Sequence, residues 1–218
     1  MNSEQYKTLS VKEFTRAADI YDGDHSGIYE RCREDYPPIA AELEHIPFEN
    51  LLDVGCGTGP MVYLLSGSYP TRHFTGVDLT PKMIEKAKEK QIPNATFVVG
   101  DSEKLPEQFG EAAFDCVICA NSFHHYPNPQ AFFDGVAKVL RPSGHLVMRD
   151  YTSHPVLVWL MNHVEMPIVN LTGHGDVRIY SVGEVRSMCE KAGLTVQKIE
   201  GQRKHRLHLV AQKKIEAI

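Results

Sequence analysis

Asp53, Asp78 and Asp101 each follow a short apolar run, in "NLLDVG", "HFTGVD" and "TFVVGD", and the pair His124–His125 follows a fourth, "FDCVICANS". Carboxylates in such places accept hydrogen bonds from hydroxyls and amines, each worth roughly 1.5–3 kcal/mol when charge-assisted. They can also pair with an ammonium group. An imidazole has the ordinary pKa of a base that works near neutrality. Around the first acid the chain reads D-V-G-C-G-T-G, with Gly55, Gly57 and Gly59 alternating. Glycines there let backbone approach a ligand closely and adopt conformations barred to side chains. The free amides that open the next helix favour an anionic group, and a carboxylate serves as well as a phosphate. Asp53, directly or through water, suits an ammonium. Together these charges match a zwitterionic amino-acid head.

The glycine register excludes the commoner nucleotide loops. A dinucleotide fingerprint, G-x-G-x-x-G, needs a glycine where this chain has Pro60 or Val62. No Gly-Lys-Ser/Thr follows to make a phosphate loop. Asp78 suits the two hydroxyls of a ribose. Asp101 suits the exocyclic amine of adenine, with the Ser102 amide donating to the ring. Amino acid, ribose and adenine in that order describe S-adenosylmethionine, with S-adenosylhomocysteine as its product. Cys56 and Thr58 would offer it mainly backbone. Leu79 flanks Asp78, Met83 fits either the core or an adenine contact, and Asn121 follows the fourth strand on the same side.

The elements that must position these residues alternate. Strand-like runs at 50–55, 73–79, 95–101, 114–122 and 145–151 are separated by helical patterns. One helix is closed by Gly67, one opens at Thr80 and Pro81, and one begins with Asn128 as cap and Pro129 at its first position. The last carries an apolar stripe of Phe132, Phe133, Val136, Val139 and Leu140 and stops at Pro142 and Gly144. This rhythm predicts an α/β fold, a doubly wound, mostly parallel sheet with helices on both faces. Ligands on such a sheet bind outside the carboxyl ends of the strands. "LTVQKIEGQRKHRLHLVAQKK" reads as two strands joined through Gly201 and basic residues, an antiparallel hairpin at the sheet edge. Residues 1–45 read as an N-terminal helical lid, 46–218 as the core, and 152–180 as a substrate-lid insertion.

The set "LLDVGCGTG", "GVDLTPKMIEKAK", "FVVGDSEKLP", "FDCVICANSFHHY" and "LRPSGHLVMRD" resembles the class I S-adenosylmethionine-dependent methyltransferases. Within them it is most similar to the ubiquinone/menaquinone-biosynthesis-like branch that acts on small molecules, over about residues 14 to 215. The resemblance implies a Rossmann-like, seven-stranded sheet whose last two strands include an antiparallel one. "AADIYD" resembles that branch's N-terminal helix, whose Tyr-Asp pair approaches the cofactor, which implies Tyr21 as a contact.

Methyl transfer is an in-line displacement at a sulfonium carbon, so the protein must place a nucleophile and exclude water. A base is needed only if the acceptor is protonated when it attacks. His124 and His125 are the candidates; the alternative is a structural pair, one ring on the cofactor and one on backbone. The reading leans His124 toward the cofactor and His125 toward the pocket. Asp150 would orient a histidine or the substrate, or serve in a cap or salt bridge. Tyr126, Tyr151, His154 and His174 are expected on the substrate side, with Phe123 and Tyr126 lining the methyl site. Trp159, Met161 and Met166 read as packing, and as lining for an apolar or aromatic acceptor if they reach the pocket.

No metal is expected. His154, His163 and His174 include no i, i+4 pair. Cys116 and Cys119 form a CxxC on a strand, where residues three apart face opposite ways, and no second CxxC exists. The net charge of -5 and the lack of a massed basic segment speak against a nucleic-acid partner. The first twenty residues have no apolar signal region, and "PVLVWLM" is far too short to span a bilayer. The expectation is a cytoplasmic monomer or homodimer acting on a small molecule. The alternatives are methylation of a macromolecule, and a protein that binds S-adenosylmethionine without turnover.

Overall fold

The computed structural model describes residues 2–23, 32–171 and 175–215. Seven strands form one sheet in the order β3-β2-β1-β4-β5-β7-β6. β1 (Asn50–Val54), β2 (His73–Asp78), β3 (Ala95–Val99), β4 (Phe114–Ala120) and β5 (Leu140–Tyr151) are parallel. β6 (Leu194–Gln202) and β7 (Arg206–Lys213) form the predicted antiparallel hairpin, and β7 also runs antiparallel to β5. The turn lies at residues 203–205 and not at Gly201, which sits inside β6 opposite Leu207. Lys204 and His205 take the left-handed backbone that closes it, with φ of 63° and 59°.

Nine helices stand out among the described residues: α1 (Ser3–Ala17), α2 (Tyr36–Leu43), α3 (Pro60–Ser68), α4 (Pro81–Glu89), α5 (Leu105–Phe109), α6 (Pro129–Val139), α7 (Pro155–Leu160), α8 (Met166–Leu171) and α9 (Val182–Lys191). Proline stands in the first turn of α3, α4 and α6, where its missing amide costs no intrahelical bond. Asn128 caps α6 by accepting from the Ala131 amide, and Ser181 with Glu184 makes a reciprocal capping box on α9. Gly67 falls within α3, which continues to Ser68. α6 ends before Pro142, because Leu140 is already extended and pairs with Phe114 across a bulge.

Side chains alternate across the strands, so each strand feeds two cores. On one face Leu52 and Val54 meet Phe132, Phe133 and Val136 of α6 and Val185 of α9. On the other, Leu51 meets Ile39 and Leu43 of α2, Met61, Val62 and Leu65 of α3, and Ile84 of α4. Burial of each such side chain is worth about 1.5–3 kcal/mol. Cys116 and Cys119 divide between these cores, as strand alternation requires, and burial pushes the Cys119 thiol up to about 12.

The chain leaves β1 toward α3 on one face and leaves β4, its neighbour, toward α6 on the other. A crevice opens between them at the carboxyl edge. One side of that edge is closed by buried charge. Arg149 donates to Asp35 at 2.8 Å, and Asn121 donates to the other Asp35 oxygen at 2.8 Å. Arg206 donates to Asn121 at 2.8 Å, lies 3.4 Å from Asp35 and covers the Tyr151 ring at 4.2 Å. The network ties the segment before α2 to β4, β5 and β7. Among the described residues no helix is long and apolar enough to cross a membrane. Asp35→Ala should lower unfolding stability by about 3–5 kcal/mol, because it strands two buried guanidinium charges; the shift in urea midpoint measures it.

Candidate active site

The loop after β1 is built on two left-handed glycines. Gly55 has φ of 74° and Gly57 of 54°. A Cβ on Gly55 would lie 2.3 Å from Ser122 Oγ, so only glycine lets the loop pass the end of β4. Gly57 meets nothing within 4 Å at that position and borders open space. Its amide donates to Asp78 Oδ2 at 2.9 Å, and the Thr80 amide donates to Oδ1 at 2.8 Å. Asp78 therefore links the loops after β1 and β2. Burial raises its pKa against the pull of those two amides. Asp53, 2% exposed, is raised further, to about 7, by burial and by the neighbouring charge of Asp78.

These residues line an open cleft whose empty space, counted out past its mouth into solvent, is about 940 Å³. Tyr21, Asp53, Gly55, Cys56, Gly57 and Asp78 all reach it, as do Leu79, Met83, Asp101, Ser102 and Asn121. Gly59 does not. It opens α3 with φ of 76°, and a Cβ there would press 2.8 Å from the Phe97 ring, so its glycine serves helix-to-strand packing.

Sequence reasoning missed the wall supplied by α1. Lys7, Ser10 and Phe14 line the cleft from one helical face, a spacing visible in the sequence but uninformative until the docking of α1 is known. Lys7 Nζ lies 2.7 Å from Asp101 Oδ2 and 2.6 Å from Glu103 Oε2. Burial works against the ammonium, and its two carboxylate partners outweigh that and raise its pKa. Asp101 also accepts from the Glu103 amide at 3.0 Å.

The histidine pair lies on a short 3-10 turn, Phe123–His125, where successive side chains diverge by about 120°. Phe123 enters the core against Phe132, Phe133 and Tyr180, and does not line the methyl site. His124 turns to β5, its Nδ1 2.7 Å from Asp150 Oδ1. His125 turns into the cleft, edge-on to Phe14. His125 is thus the ring on the cleft side, while His124 faces β5 and not the cleft. Asp150 also accepts from the Phe123 amide at 2.7 Å and the Tyr151 amide at 2.6 Å. Burial opposes charge on both partners, but their mutual attraction and hydrogen bond prevail. The His124 pKa is held above its ordinary value and that of Asp150 below. Burial and the nearby His124 charge push His125 down.

Asp176, which sequence reasoning also missed, faces both rings. Its Oδ1 lies 3.3 Å from His125 Nδ1 and 3.6 Å from His124 Nε2. The Val177 and Arg178 amides donate to the His124 carbonyl at 2.9 and 3.1 Å, docking this loop on the turn. The Gly175 amide donates to Glu13 of α1 at 2.7 Å. Tyr126 lines the cleft, but its hydroxyl is committed to Ser122 at 2.7 Å. Tyr151 stands edge-on to His124 at 5.1 Å. His154 is exposed before α7, outside the cleft, and its carbonyl accepts from Val158. His174 lies outside the described residues. Met166 is buried with Val158 and Ile179, while Trp159 is exposed.

A sequence profile described as "Methyltransferase domain" matches residues 48–205. Among curated proteins, the phthiotriol/phenolphthiotriol dimycocerosates methyltransferase of Mycobacterium leprae is 38% identical over 103 residues, 47% of this chain and 37% of that protein. The 27-O-demethylrifamycin SV methyltransferase of Amycolatopsis mediterranei is 29% identical over 157 residues, 70% of this chain and 56% of that protein. The chain thus spans from about two-fifths to just over half of these relatives' length. Among solved structures, the 1,6-didemethyltoxoflavin-N1-methyltransferase of Burkholderia thailandensis superposes with a TM-score of 0.72 at 19% identity, covering 99% of this chain and 92% of that one. That likeness speaks to the fold. The profile match takes in β1 to β6 and the glycine loop, acids and histidine turn set along them, and so the chain belongs to the methyltransferase-domain family, in its class I, Rossmann-like form.

Proposed function

We propose that the chain moves the methyl group of S-adenosylmethionine to a nucleophilic atom of a small, largely apolar molecule. The observation that carries this reading is Asp53. It is a buried carboxylate raised to about 7, lining an open cleft beside a glycine turn. An ammonium placed there would restore its charge, and the open space at Gly57 admits the rest of an amino-acid head. Each Asp78 oxygen takes one amide and keeps acceptor capacity for a ribose hydroxyl. Asp101 and Ser102 serve the adenine, with Met83 against its ring and Tyr21, Cys56, Leu79 and Asn121 completing the walls. The bound cofactor supplies an activated methyl on a good, neutral leaving group.

The remaining work falls to the chain. α1 and residues 152–180 act as the lid that excludes water and holds the acceptor. His125, and His124 steadied by Asp150, are the groups that take or polarise the acceptor's proton. Tyr151 borders the acceptor side. Two relatives are named for phthiotriol/phenolphthiotriol dimycocerosates and for 27-O-demethylrifamycin SV, and the Burkholderia enzyme is described with S-adenosylhomocysteine and 1,6-didemethyltoxoflavin bound. These names support the reading of a small acceptor.

Asp78→Ala should weaken S-adenosylmethionine binding by about 100- to 10,000-fold, from two lost charge-assisted bonds; unchanged calorimetric affinity would refute the placement. Asp53 predicts a pH signature. Its folded pKa is raised above the unfolded value of 3.8, so its contribution to stability is full below that value. The contribution is lost as pH rises through about 7, by up to about 4 kcal/mol. Asp53→Asn should flatten that fall in ligand-free urea melts. A bound ammonium reverses the shift, so cofactor binding near pH 6 should release a proton. Calorimetry in buffers of different ionisation heat reads the release, which Asp53→Asn should abolish. Transfer itself is checked with methyl-labelled cofactor and a pool of apolar hydroxylated compounds; binding without transfer to any of them would leave a binder and remove the enzyme.

A further inference from the structure

We infer that His124, His125 and Asp176 form a site for a zinc-like first-row divalent cation beside the cofactor cleft. Among the described residues these three offer ligand atoms that all lie within 4.8 Å of one another. The separations of 3.3 and 3.6 Å between Asp176 Oδ1 and the two ring nitrogens are long for hydrogen bonds, which run about 2.7–3.2 Å. Two donors about 2.0–2.2 Å from a tetrahedral cation stand roughly 3.4 Å apart. The spacing therefore matches donors arranged around a shared ion. Such a site runs against the sequence expectation of no metal, because its members come from an adjacent pair and a distant loop and make no recognisable spacing.

The second carboxylate fits the same arrangement. Asp150, held by the Phe123 and Tyr151 amides, lies 2.7 Å from His124 Nδ1, which leaves Nε2 as the ring nitrogen on the Asp176 side. A carboxylate on the far nitrogen is also how metal-bound imidazoles are commonly oriented. His125 Nδ1 donates to the Gly175 carbonyl at 3.2 Å, and a cation at this nitrogen would take the place of that proton. The loop bearing Asp176 is pinned to the turn through the His124 carbonyl, so the donors hold their relative places. Two imidazoles and one carboxylate suit Zn²⁺ and its first-row neighbours, whereas Mg²⁺ and Ca²⁺ prefer oxygen donors throughout.

Three protein donors leave a coordination position open. His125 lines the cleft, so the open position faces the acceptor. This deepens the proposed function and rests on it: an acceptor hydroxyl bound there would lose its proton more readily, because a cation stabilises the oxyanion. The substrate class is thereby narrowed to apolar molecules that bear a hydroxyl.

The test uses the full chain stripped with a chelator and titrated with Co²⁺, whose visible absorption reports tetrahedral nitrogen and oxygen donors. One equivalent should bind. Asp176→Ala and His125→Gln should each weaken uptake at least about tenfold, and Asp150→Asn about 10–100-fold through His124. Asp176→Asn keeps the side-chain shape and serves as the second variant should Asp176→Ala lose stability, its melting temperature measured on the stripped protein. S-adenosylmethionine calorimetry on the same samples separates the two readings. Wild-type protein that binds the cofactor but takes up no Co²⁺, or uptake unchanged in Asp176→Ala, overturns the metal site and leaves the methyltransferase reading standing. Co²⁺ uptake that needs Asp176, in protein that does not bind the cofactor, sustains the site and removes the reading it deepens.

Discussion

The crevice between β1 and β4 exists because the chain turns in opposite directions at the ends of two adjacent strands. Every feature of the site depends on that divergence. Gly55 must be glycine because its loop passes Ser122 at the end of β4. Asp78 can bond the Gly57 amide because β1 and β2 end in register. The histidine turn begins where β4 stops, and so lies on the far lip of the same opening.

The divergence also concentrates charge. Asp53 is buried and Asp78 half-buried beside it, the charge of Asp78 adds to the cost of charging Asp53, and Asp101 and Glu103 extend the acidic edge, where Lys7 answers them. A site built this way is electrostatically incomplete by itself. A cationic ligand relieves the repulsion, which is a more selective demand than shape alone. At the other end Asp150 and Asp176 flank His124, so negative charge again converges where positive charge is wanted.

The glycine-loop end of the cleft was legible in the sequence because each of its acids closes a strand and the glycine loop names the first of them. Gly59 lies off the cleft, since a glycine needed for packing against Phe97 is written the same way as one needed for a ligand. The histidine end was legible only in part. His124 and His125 were identifiable, but not their directions, because a 3-10 turn rotates neighbours apart in a manner no periodicity announces. Asp176, Asp35 and the α1 face reach the site by tertiary docking, and nothing local in their sequence marks them. The hairpin was legible through the basic residues that make its turn at 203–205, where non-glycine residues adopt left-handed backbone, while Gly201 lies inside the strand.

β7 enters the sheet against its neighbours, so its first residue, not its last, reaches the carboxyl edge. Arg206 thereby meets Asp35, and beside them Lys204 meets Glu34 across 170 positions of chain. Closing so long a loop is entropically costly and comes late in assembly. A nascent chain can lay down β1 through β4, with the glycine loop and its acids, long before Arg206 has been synthesised. The two ends of the cleft therefore differ in age, with the side that Arg206 closes waiting on the last strand to emerge.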